Sequence, residues 1–142
     1  MIGYLDTSAV VPLLVLEPGS ECCQQFWDDA DSLVSTRLLY VQTAALALAR
    51  RMRRLTESQH ATALRAFDQV WGAIDVIEVD DRIVRLAADM SFRFGLRGYD
   101  AVHCASAATV SDDELVVATG DRKLLDACPA AGLATIDVSG TG

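Results

Sequence analysis

The chain has 142 residues, of which 51% are hydrophobic and 23% are charged. Those proportions are typical of a folded globular protein, so they exclude a disordered tail protein and a fibre. The length fits one domain over residues 1–142. Acidic residues outnumber basic ones by 20 to 12, and the net charge is −8. This charge excludes a protein that coats nucleic acid by bulk attraction, but not an enzyme that grips a phosphate through a metal.

The cysteines and the N-terminal sequence indicate a reducing compartment and no membrane anchor. The four cysteines form no C-x-x-C or Cys/His cluster, so we expect free thiols in the cytoplasm rather than a zinc site. The N-terminal segment lacks a basic start, and Asp6, Pro12 and Glu17 interrupt its apolar run. This pattern predicts neither a signal peptide nor a membrane span.

Strands and helices alternate along the chain. Short apolar runs predict strands, and longer stretches with cap residues or helical spacing predict helices. The predicted strands are 2–5, 32–36, 75–79, 114–119 and 134–138, and the predicted helices are 9–16, 21–29, 37–55, 56–74, 80–94, 98–110 and 121–131. Strands joined by helices pair in parallel, which predicts an α/β sandwich.

Two aspartates follow predicted strands. Asp6 comes directly after the first strand, and Asp121 comes two residues after Thr119, where the fourth strand ends. Ligands of open parallel sheets bind just beyond the carboxyl ends of the strands, so both aspartates are candidates for a functional site. The structural alternative is that each one caps the helix that follows it.

Two polar residues lie on helical stripes that are otherwise apolar. The stripes are Leu38, Gln42, Ala45 and Ala49, and Leu96, Asp100, Cys104 and Ala107. A charge on such a stripe is costly unless it is paired or binds a cation. The alternatives are a buried amide bonded to backbone for Gln42 and a place in the first helical turn for Asp100. Together with Asp6 and Asp121, Asp100 would form an oxygen-only cluster, which favours magnesium or manganese over zinc.

Four segments carry a resemblance to one known family. They are YLDTSAVVPLLVLEPGSE at 4–21, STRLLYVQTAALALARR at 35–51, LRGYDAVHCASA at 96–107 and ATGDRKLLDACPAAG at 118–132. In this order they resemble the PIN-domain ribonucleases, and most closely the VapC-type toxins of bacterial toxin–antitoxin pairs. The resemblance implies a PIN-like three-layer α/β sandwich around a central parallel sheet of about five strands.

The resemblance also implies roles for residues of the candidate site. The metal-binding aspartates fall at Asp6, Asp100 and Asp121, and the polar residues that support them fall at Thr7, Ser8 and Thr119. The remaining acid of the family, a glutamate, falls at Gln42. Glutamine keeps one oxygen that can ligate magnesium, but it loses the charge and cannot accept a proton, so activity is expected to be weakened. The glutamine is either natural or a change introduced so that a toxic enzyme could be produced.

The implied reaction is metal-assisted hydrolysis of an RNA phosphodiester. Its cofactor would be Mg²⁺, with Mn²⁺ as a substitute, and its target a structured RNA such as tRNA or rRNA. The candidates for RNA contact are Arg37, Arg97 and Arg122, which lie near the site residues in sequence. A second arginine cluster at 50–54 is either a phosphate-contacting patch or a solvated helix end. His103, one turn after Asp100, is expected to be packed rather than catalytic.

The first predicted helix, 9–16, is apolar nearly all round and needs cover from the core or from a partner. The resemblance implies two partners. One is a second copy of the chain, giving a homodimer or a larger toxin–antitoxin assembly. The other is a VapB-type antitoxin whose C-terminal segment lies in the groove beside the first helices.

Three other functions compete with the ribonuclease. Gln42 favours a non-catalytic PIN-like module that binds antitoxin or RNA without cleaving. A receiver or a phosphatase would use Asp6 as phosphoacceptor, but the expected second acid is missing, and Ser8 stands where the phosphatase pattern has Asp. A dinucleotide-binding fold needs a G-x-G-x-x-G motif after the first strand, and this chain has none there.

Overall fold

A computed structural model describes residues 1–45, 56–110 and 112–140. Within these ranges the strands are β1 (Ile2–Leu5), β2 (Ser32–Thr36), β3 (Asp75–Ile77), β4 (Leu115–Thr119) and β5 (Ala134–Asp137). The helices are α1 (Thr7–Leu14), α2 (Ser20–Asp29), α3 (Leu39–Thr43), α4 (Glu57–Gly72), α5 (Asp81–Phe94), α6 (Gly98–Ala108) and α7 (Arg122–Ala130). The strands pair in parallel in the order β3-β2-β1-β4-β5, so the predicted parallel α/β fold is confirmed.

Helices cover both faces of the sheet. Tyr4 and Val117 join a core with residues of α5, α6 and α7, whereas Leu5 and Ala118 join a second core with residues of α1, α2 and α4. Successive residues of a strand point to opposite faces, which is why β1 and β4 each contribute to both cores. The result is the expected three-layer sandwich, with β1 and β4 next to each other in the sheet.

The close packing of α2 on the sheet depends on a glycine in β1. A Cβ atom added at Gly3 would lie 2.7 Å from Cε1 of Phe26, nearer than real Cβ atoms approach a neighbour. Phe26 is buried, so a larger residue at position 3 would push α2 away from the sheet.

Two predicted boundaries near β2, the start of the next helix and the end of β3, differ from those in the structure. The helix predicted over 37–55 begins only at Leu39, because Arg37 N–H donates to Ile77 O at 3.0 Å and extends the β2–β3 pairing. For the same reason β3 ends at Ile77 rather than at residue 79, since Thr36 and Ile77 are the last pair in the register. Residues 46–55 of that predicted helix, which include the arginine cluster, lie outside the described residues.

The remaining helix boundaries agree with the sequence to within two residues. Helix α1 ends early, at Leu14, where the Ser20 hydroxyl donates to Pro12 O at 2.8 Å and accepts Glu17 N–H at 2.9 Å. These bonds fold the chain sharply from α1 into α2 and fix the turn that carries Glu17. None of the helices in the described ranges has the length and apolar character needed to cross a membrane.

Candidate active site

A pocket of about 220 Å³ opens at the carboxyl ends of β1 and β4. Parallel strands end at the same edge of a sheet, so the residues that follow β1 and β4 meet there. The lining side chains are Asp6, Thr7, Ser8, Val11, Glu17, Gln42, Asp100, His103 and Asp121. The four residues expected to form a site, Asp6, Gln42, Asp100 and Asp121, are therefore brought together from four separate segments of the chain.

Asp6 is a buried carboxylate that caps no helix. Its backbone occupies the N-cap position of α1, but its side chain accepts no bond from the backbone of that helix. It accepts the Ser8 hydroxyl at 2.7 Å instead, and only 4% of the residue is exposed. The helix-cap alternative therefore fails for Asp6.

The hydroxyl groups of Ser8 and Thr119 connect the two strand ends. Ser8 Oγ accepts Gly120 N–H at 2.7 Å and lies 3.3 Å from Thr119 Oγ1. Thr119 Oγ1 accepts Asp121 N–H at 3.0 Å. These bonds hold the Asp6 carboxylate and the backbone of Asp121 in a fixed relation. Ser8 and Thr119, which were predicted to support the aspartates, thus contact the Asp6 carboxylate and the Asp121 backbone, respectively.

Asp121 performs the structural role that Asp6 does not. Its Oδ1 accepts Lys123 N–H at 2.8 Å and caps α7, so the cap alternative is correct for this residue. A carboxylate has two oxygens and about four lone pairs, so capping leaves acceptor capacity for the pocket that Asp121 also lines.

Asp100 lies in the first turn of α6, where it is half-buried. Burial and the charge of Asp121 raise the pKa of the Asp100 carboxyl, whereas the charges of Lys123 and Arg97 lower it. Asp100 is thus an acid held between one neighbouring anion and two neighbouring cations.

Burial has the largest effect on Asp6. Together with the charges of Asp121 and Asp100, it raises the pKa of Asp6 to about 7, against the opposing hydrogen bonds from Ser8 and Thr119. A buried carboxylate near two others is stabilised in its charged form by a cation. Because these donors are all oxygens, the set fits a hard divalent ion better than zinc.

The three carboxylates do not form a metal site in their present positions. Among the described residues, no three His, Cys, Asp or Glu side chains are arranged so that they could hold a metal ion as they stand. Asp6 is bonded to Ser8, and Asp121 is bonded to the backbone of Lys123. Chelation by all three aspartates would therefore require their side chains, which line one pocket, to rearrange.

Gln42 is held by two other side chains of the pocket. The Thr7 hydroxyl donates to its Oε1 at 3.3 Å, and His103 Nε2 lies 2.8 Å from the same oxygen. The amide is bonded, as the structural alternative expected, but to side chains rather than to backbone. Its carbonyl oxygen, a candidate metal ligand by sequence, already has two partners.

His103 is buried as expected, but it also lines the pocket. Its Nδ1 lies 2.9 Å from the Tyr4 hydroxyl, and the two rings meet edge to face with centroids 5.8 Å apart. Burial lowers the pKa of His103 to about 4, so the imidazole is neutral at pH 7. The available signal for His103 was its place one turn after Asp100, whereas nothing in the sequence marked Glu17 or Tyr4.

Two of the three arginines expected to contact RNA are engaged elsewhere. Arg37 binds Glu78, with one bond of 3.2 Å from its Nε, and its guanidinium lies 5.9 Å from the ring centroid of Trp71. Arg122 pairs with Asp137 at 3.7 Å. Neither arginine lines the pocket.

Arg97 and Lys123 are the cations whose charges act on Asp100. Both lower the pKa of Asp100 through their charge, so both lie within electrostatic reach of the pocket. Lys123, like Glu17 and Tyr4, was not predicted from the sequence; its available signal was its place two residues after Asp121.

Comparisons with known proteins give a consistent relationship. A family model described as PIN domain matches residues 3–128. Ribonuclease VapC49 of Mycobacterium tuberculosis (strain ATCC 25618 / H37Rv) is 43% identical over 130 residues, which cover 91% of this chain and 90% of that protein.

Two solved structures share the fold. The crystal structure of FitAcB from Neisseria gonorrhoeae aligns with a TM-score of 0.70 and 20% identity over 97% of this chain and 98% of that one. The crystal structure of VapBC-5, a member of the VapBC family of toxin–antitoxin systems from Mycobacterium tuberculosis, gives a TM-score of 0.61 and 22% identity over 96% and 98%. The PIN-like architecture expected from the sequence is thus confirmed.

Proposed function

We propose that this chain, which belongs to the PIN-domain family of VapC ribonucleases, is a metal-dependent endoribonuclease that acts as the toxin of a VapBC-type toxin–antitoxin pair. One observation carries the proposal: Asp6, Gln42, Asp100 and Asp121 line a single pocket. Residues 1–142 would form one PIN-like domain.

Three carboxylates of the pocket would hold the metal, Mg²⁺ or Mn²⁺: Asp6, Asp100 and Asp121. When bound, such an ion supplies charge that polarises a phosphodiester and eases the ionisation of water. Ser8 holds the Asp6 carboxylate in place, and the Lys123 amide holds that of Asp121.

The RNA would be held by cations beside an otherwise acidic pocket. Arg97 and Lys123 act electrostatically on Asp100, so they are suited to bind the phosphates that flank the scissile bond. Arg37 and Arg122 could join them only by giving up Glu78 and Asp137. The substrate class is a structured RNA, tRNA or rRNA.

Gln42 would keep activity below that of the glutamate form. Its amide carries no charge, and its oxygen already accepts from Thr7 and His103. Gln42→Glu adds a negative charge to the pocket and should raise metal affinity and cleavage by roughly 10–100-fold, the size of effect seen when a partner of a metal site is lost.

The test is RNA cleavage by the purified chain and by Gln42→Glu. Each protein is incubated with total tRNA and rRNA in the presence of Mg²⁺, Mn²⁺ or EDTA. We expect metal-dependent cleavage that increases in Gln42→Glu. Gln25→Glu, which makes the same charge change on the exposed surface of α2, is the matched control and should change nothing. Absence of metal-dependent cleavage in both the chain and Gln42→Glu would overturn the nuclease.

The second candidate is a PIN-like module that binds without cleaving. The observation in its favour is that the Gln42 oxygen is taken by two donors, so position 42 offers neither a charge nor a free oxygen. Binding of Mn²⁺ and RNA with no turnover, in this chain and in Gln42→Glu alike, would select this function.

The partner would be a VapB-type antitoxin seated beside the first helices. A groove of about 240 Å³ between α1, α2 and α4 is lined by Leu13, Gln24, Trp27, Gln69 and Val70. Helix α1 also contributes Val11 to the acidic pocket, so a segment in this groove lies next to the site. A basic side chain from that segment could then replace the charge of the metal. Trp27→Ala should weaken copurification with the antitoxin.

A second copy of the chain is the other proposed partner, in a homodimer or a larger toxin–antitoxin assembly. Helix α5 exposes Val84 and Phe92, which are 51% and 91% accessible. Residues eight apart lie on one side of a helix, so the two form an apolar face. Phe92→Ser should shift the mass measured by light scattering towards the monomer.

The proposed location is the cytoplasm. Cys22, Cys23, Cys104 and Cys128 are all free thiols, as the sequence predicted. Unpaired cysteines are the usual state in a reducing compartment, which is also where tRNA and rRNA would be met.

A further inference from the structure

A line of buried and partly buried hydrogen bonds borders the acidic pocket. It passes from Tyr4 on β1 to His103 on α6 at 2.9 Å, and from His103 to Gln42 on α3 at 2.8 Å. Thr7 on α1 adds a bond of 3.3 Å to the same Gln42 oxygen. Tyr4 is fully buried and His103 is 2% exposed, so these bonds satisfy polar atoms that water does not reach.

The Gln42 oxygen at one end of this line sets which atom donates the proton in each of its hydrogen bonds. Gln42 Oε1 can only accept, so the His103 nitrogen that lies 2.8 Å from it, Nε2, must carry the proton. A neutral imidazole carries one proton, so Nδ1 is an acceptor, and the Tyr4 hydroxyl must donate to it. With the Gln42 carbonyl oxygen turned towards His103, the geometry therefore defines one tautomer of His103.

The opposite tautomer would require the opposite amide. If Gln42 turned its NH₂ group towards His103, Nε2 would have to accept, Nδ1 would carry the proton, and the carbonyl oxygen would be left for the pocket. A glutamate at position 42 has no such choice, because both of its oxygens accept. The orientation of the amide thus decides whether position 42 offers the pocket an oxygen.

We propose that Tyr4 and His103 are positioning residues that fix the side chain at position 42. His103, as the Nε2–H tautomer, binds one terminal oxygen of that side chain. The other terminal group takes no bond from His103, and it is an NH₂ group in Gln42 and a carboxylate oxygen in Gln42→Glu. The catalytic meaning of this device rests on the proposed nuclease function, but its geometry does not.

The same bonds connect the segments that carry the acids. Tyr4 lies two residues before Asp6, and His103 lies three residues after Asp100 on α6. A displacement of His103 would therefore move the frame of two carboxylates as well as the side chain of Gln42. We therefore expect that removing the buried Tyr4 hydroxyl changes the arrangement of the site, and that the chain still folds.

The first test reads the tautomer directly, in the metal-free protein. Two-bond ¹H–¹⁵N spectra of the protein with ¹⁵N-labelled histidine distinguish Nε2–H from Nδ1–H, and His60→Gln assigns the two signals. We expect His103 to be a pure Nε2–H tautomer at pH 7 in the chain and in Gln42→Glu. Tyr4→Phe, which removes the donor to Nδ1, should shift the Nδ1 resonance. A pure Nδ1–H form in the chain would overturn the proposal.

The matched control removes a hydroxyl from another tyrosine. Tyr40 also lies near Gln42 in sequence, but its hydroxyl donates to Asp68 on the exposed surface at 2.9 Å. Tyr40→Phe should therefore leave the His103 signals unchanged. An equal shift of the His103 resonances in Tyr40→Phe and Tyr4→Phe would mean that the signal reports general loosening, and it would overturn the assigned role.

The second test separates positioning from folding. In a Gln42→Glu background, Tyr4→Phe should lower Mn²⁺ affinity and kcat by roughly 10–100-fold while the KM for RNA stays nearly constant, as for other partners that orient metal ligands. If Tyr4→Phe does not fold, His103→Gln, which keeps a donor towards position 42, should retain more Mn²⁺ affinity than His103→Leu. Equal Mn²⁺ affinity across these variants would overturn the proposal.

The two proposals fail separately. If no variant cleaves RNA but the tautomer and the Mn²⁺ affinities follow expectation, the nuclease function is wrong and the positioning device stands. If RNA is cleaved in a metal-dependent way while Tyr4→Phe alters neither the tautomer signals nor kcat, the nuclease stands and the positioning device is wrong.

Discussion

The ends of β1 and β4 resemble each other in sequence and differ in structure. Each is followed by an aspartate at the start of a helix, and the strands pair side by side with Leu5 opposite Ala118. Asp6 is buried and caps nothing, whereas Asp121 is partly exposed and caps α7 through Lys123 N–H. Sequence pattern locates both acids, but only burial and bonding partners separate a carboxylate with a structural role from one without.

The largest loss of RNA cleavage should follow substitution of Asp6, the buried aspartate of the two. Asp6→Asn removes the charge of a carboxylate that has no helix to cap, so its cost should fall on chemistry. In a Gln42→Glu background, we expect Mg²⁺-dependent RNA cleavage to drop by more than the roughly 10–100-fold typical of an outer partner of a metal ligand. Single-turnover cleavage rates measure the drop. Activity within twofold of the parent would remove Asp6 from the site.

The pH dependence of stability should also single out Asp6. Burial raises the pKa of Asp6 from 3.8 to about 7, so the folded state binds the extra proton between those values. The contribution of Asp6 to the stability of the metal-free protein should therefore fall as the pH rises from about 4 to about 7, by on the order of 4 kcal/mol, and should level off above. The buried His103, whose pKa is lowered from 6.5 to about 4, acts in the opposite direction over the same range by on the order of 3 kcal/mol, so the Asp6 contribution is the difference between the parent and Asp6→Asn. Urea unfolding in EDTA across this range measures the change.

The matched pair for this experiment is Asp6→Asn with Asp121→Asn. An asparagine at position 6 does not titrate, so Asp6→Asn should lose the falling contribution, keep the rise with pH that His103 causes, and be more stable than the parent at pH 8 without metal. Asp121→Asn removes a carboxylate that is partly exposed and should keep most of the slope. The same slope in all three proteins would contradict a buried, proton-binding Asp6.

Asp121 caps α7 and is proposed to bind the metal, and two substitutions can separate these roles. Asparagine caps helices as well as aspartate does, so Asp121→Asn should keep the stability of α7 and lose only cleavage. Asp121→Ala should lose cleavage and, in addition, about 1 kcal/mol of stability with the cap. Thermal melts and cleavage rates of the two variants provide the comparison. Equal stability of both would show that the cap at Lys123 N–H contributes nothing.

The smallest effect concerns the arginines. Arg97 acts on Asp100, whereas Arg37 is bound to Glu78. Arg97→Ala should reduce the slope of log Kd for RNA against log salt by about 1, as expected for the loss of one phosphate contact, and Arg37→Ala should leave it unchanged. Fluorescence anisotropy in EDTA at several salt concentrations tests this. A larger loss in Arg37→Ala would reverse the assignment.

Much of this architecture follows from the sequence because its signals are local. Apolar runs gave all the described strands, and cap residues gave most helix starts within two residues. The boundaries after β2 were wrong because the bond from Arg37 N–H to Ile77 O joins residues distant in sequence. The Tyr4–His103 bond and the approach of Glu17 were missed for the same reason.

The candidate site residues were predicted from their positions relative to the predicted strands and helices. Asp6 and Asp121 stand at strand ends, where general rules of parallel sheets expect a site, and Asp100 and Gln42 stand out as polar members of apolar stripes. None of these signals tells a cap from a ligand. The distinction came from the Ser8 bond to Asp6 and the Lys123 bond to Asp121, which depend on the folded geometry.

The central claim is that three aspartates from distant segments share one divalent ion. Anomalous diffraction from crystals soaked in Mn²⁺ tests it most directly. We expect a manganese peak in the pocket, bonded to oxygens of Asp6, Asp100 and Asp121, and we expect Asp6→Asn crystals to lack it. A pocket with no peak at saturating Mn²⁺, or a peak that persists unchanged in Asp6→Asn, would contradict the claim.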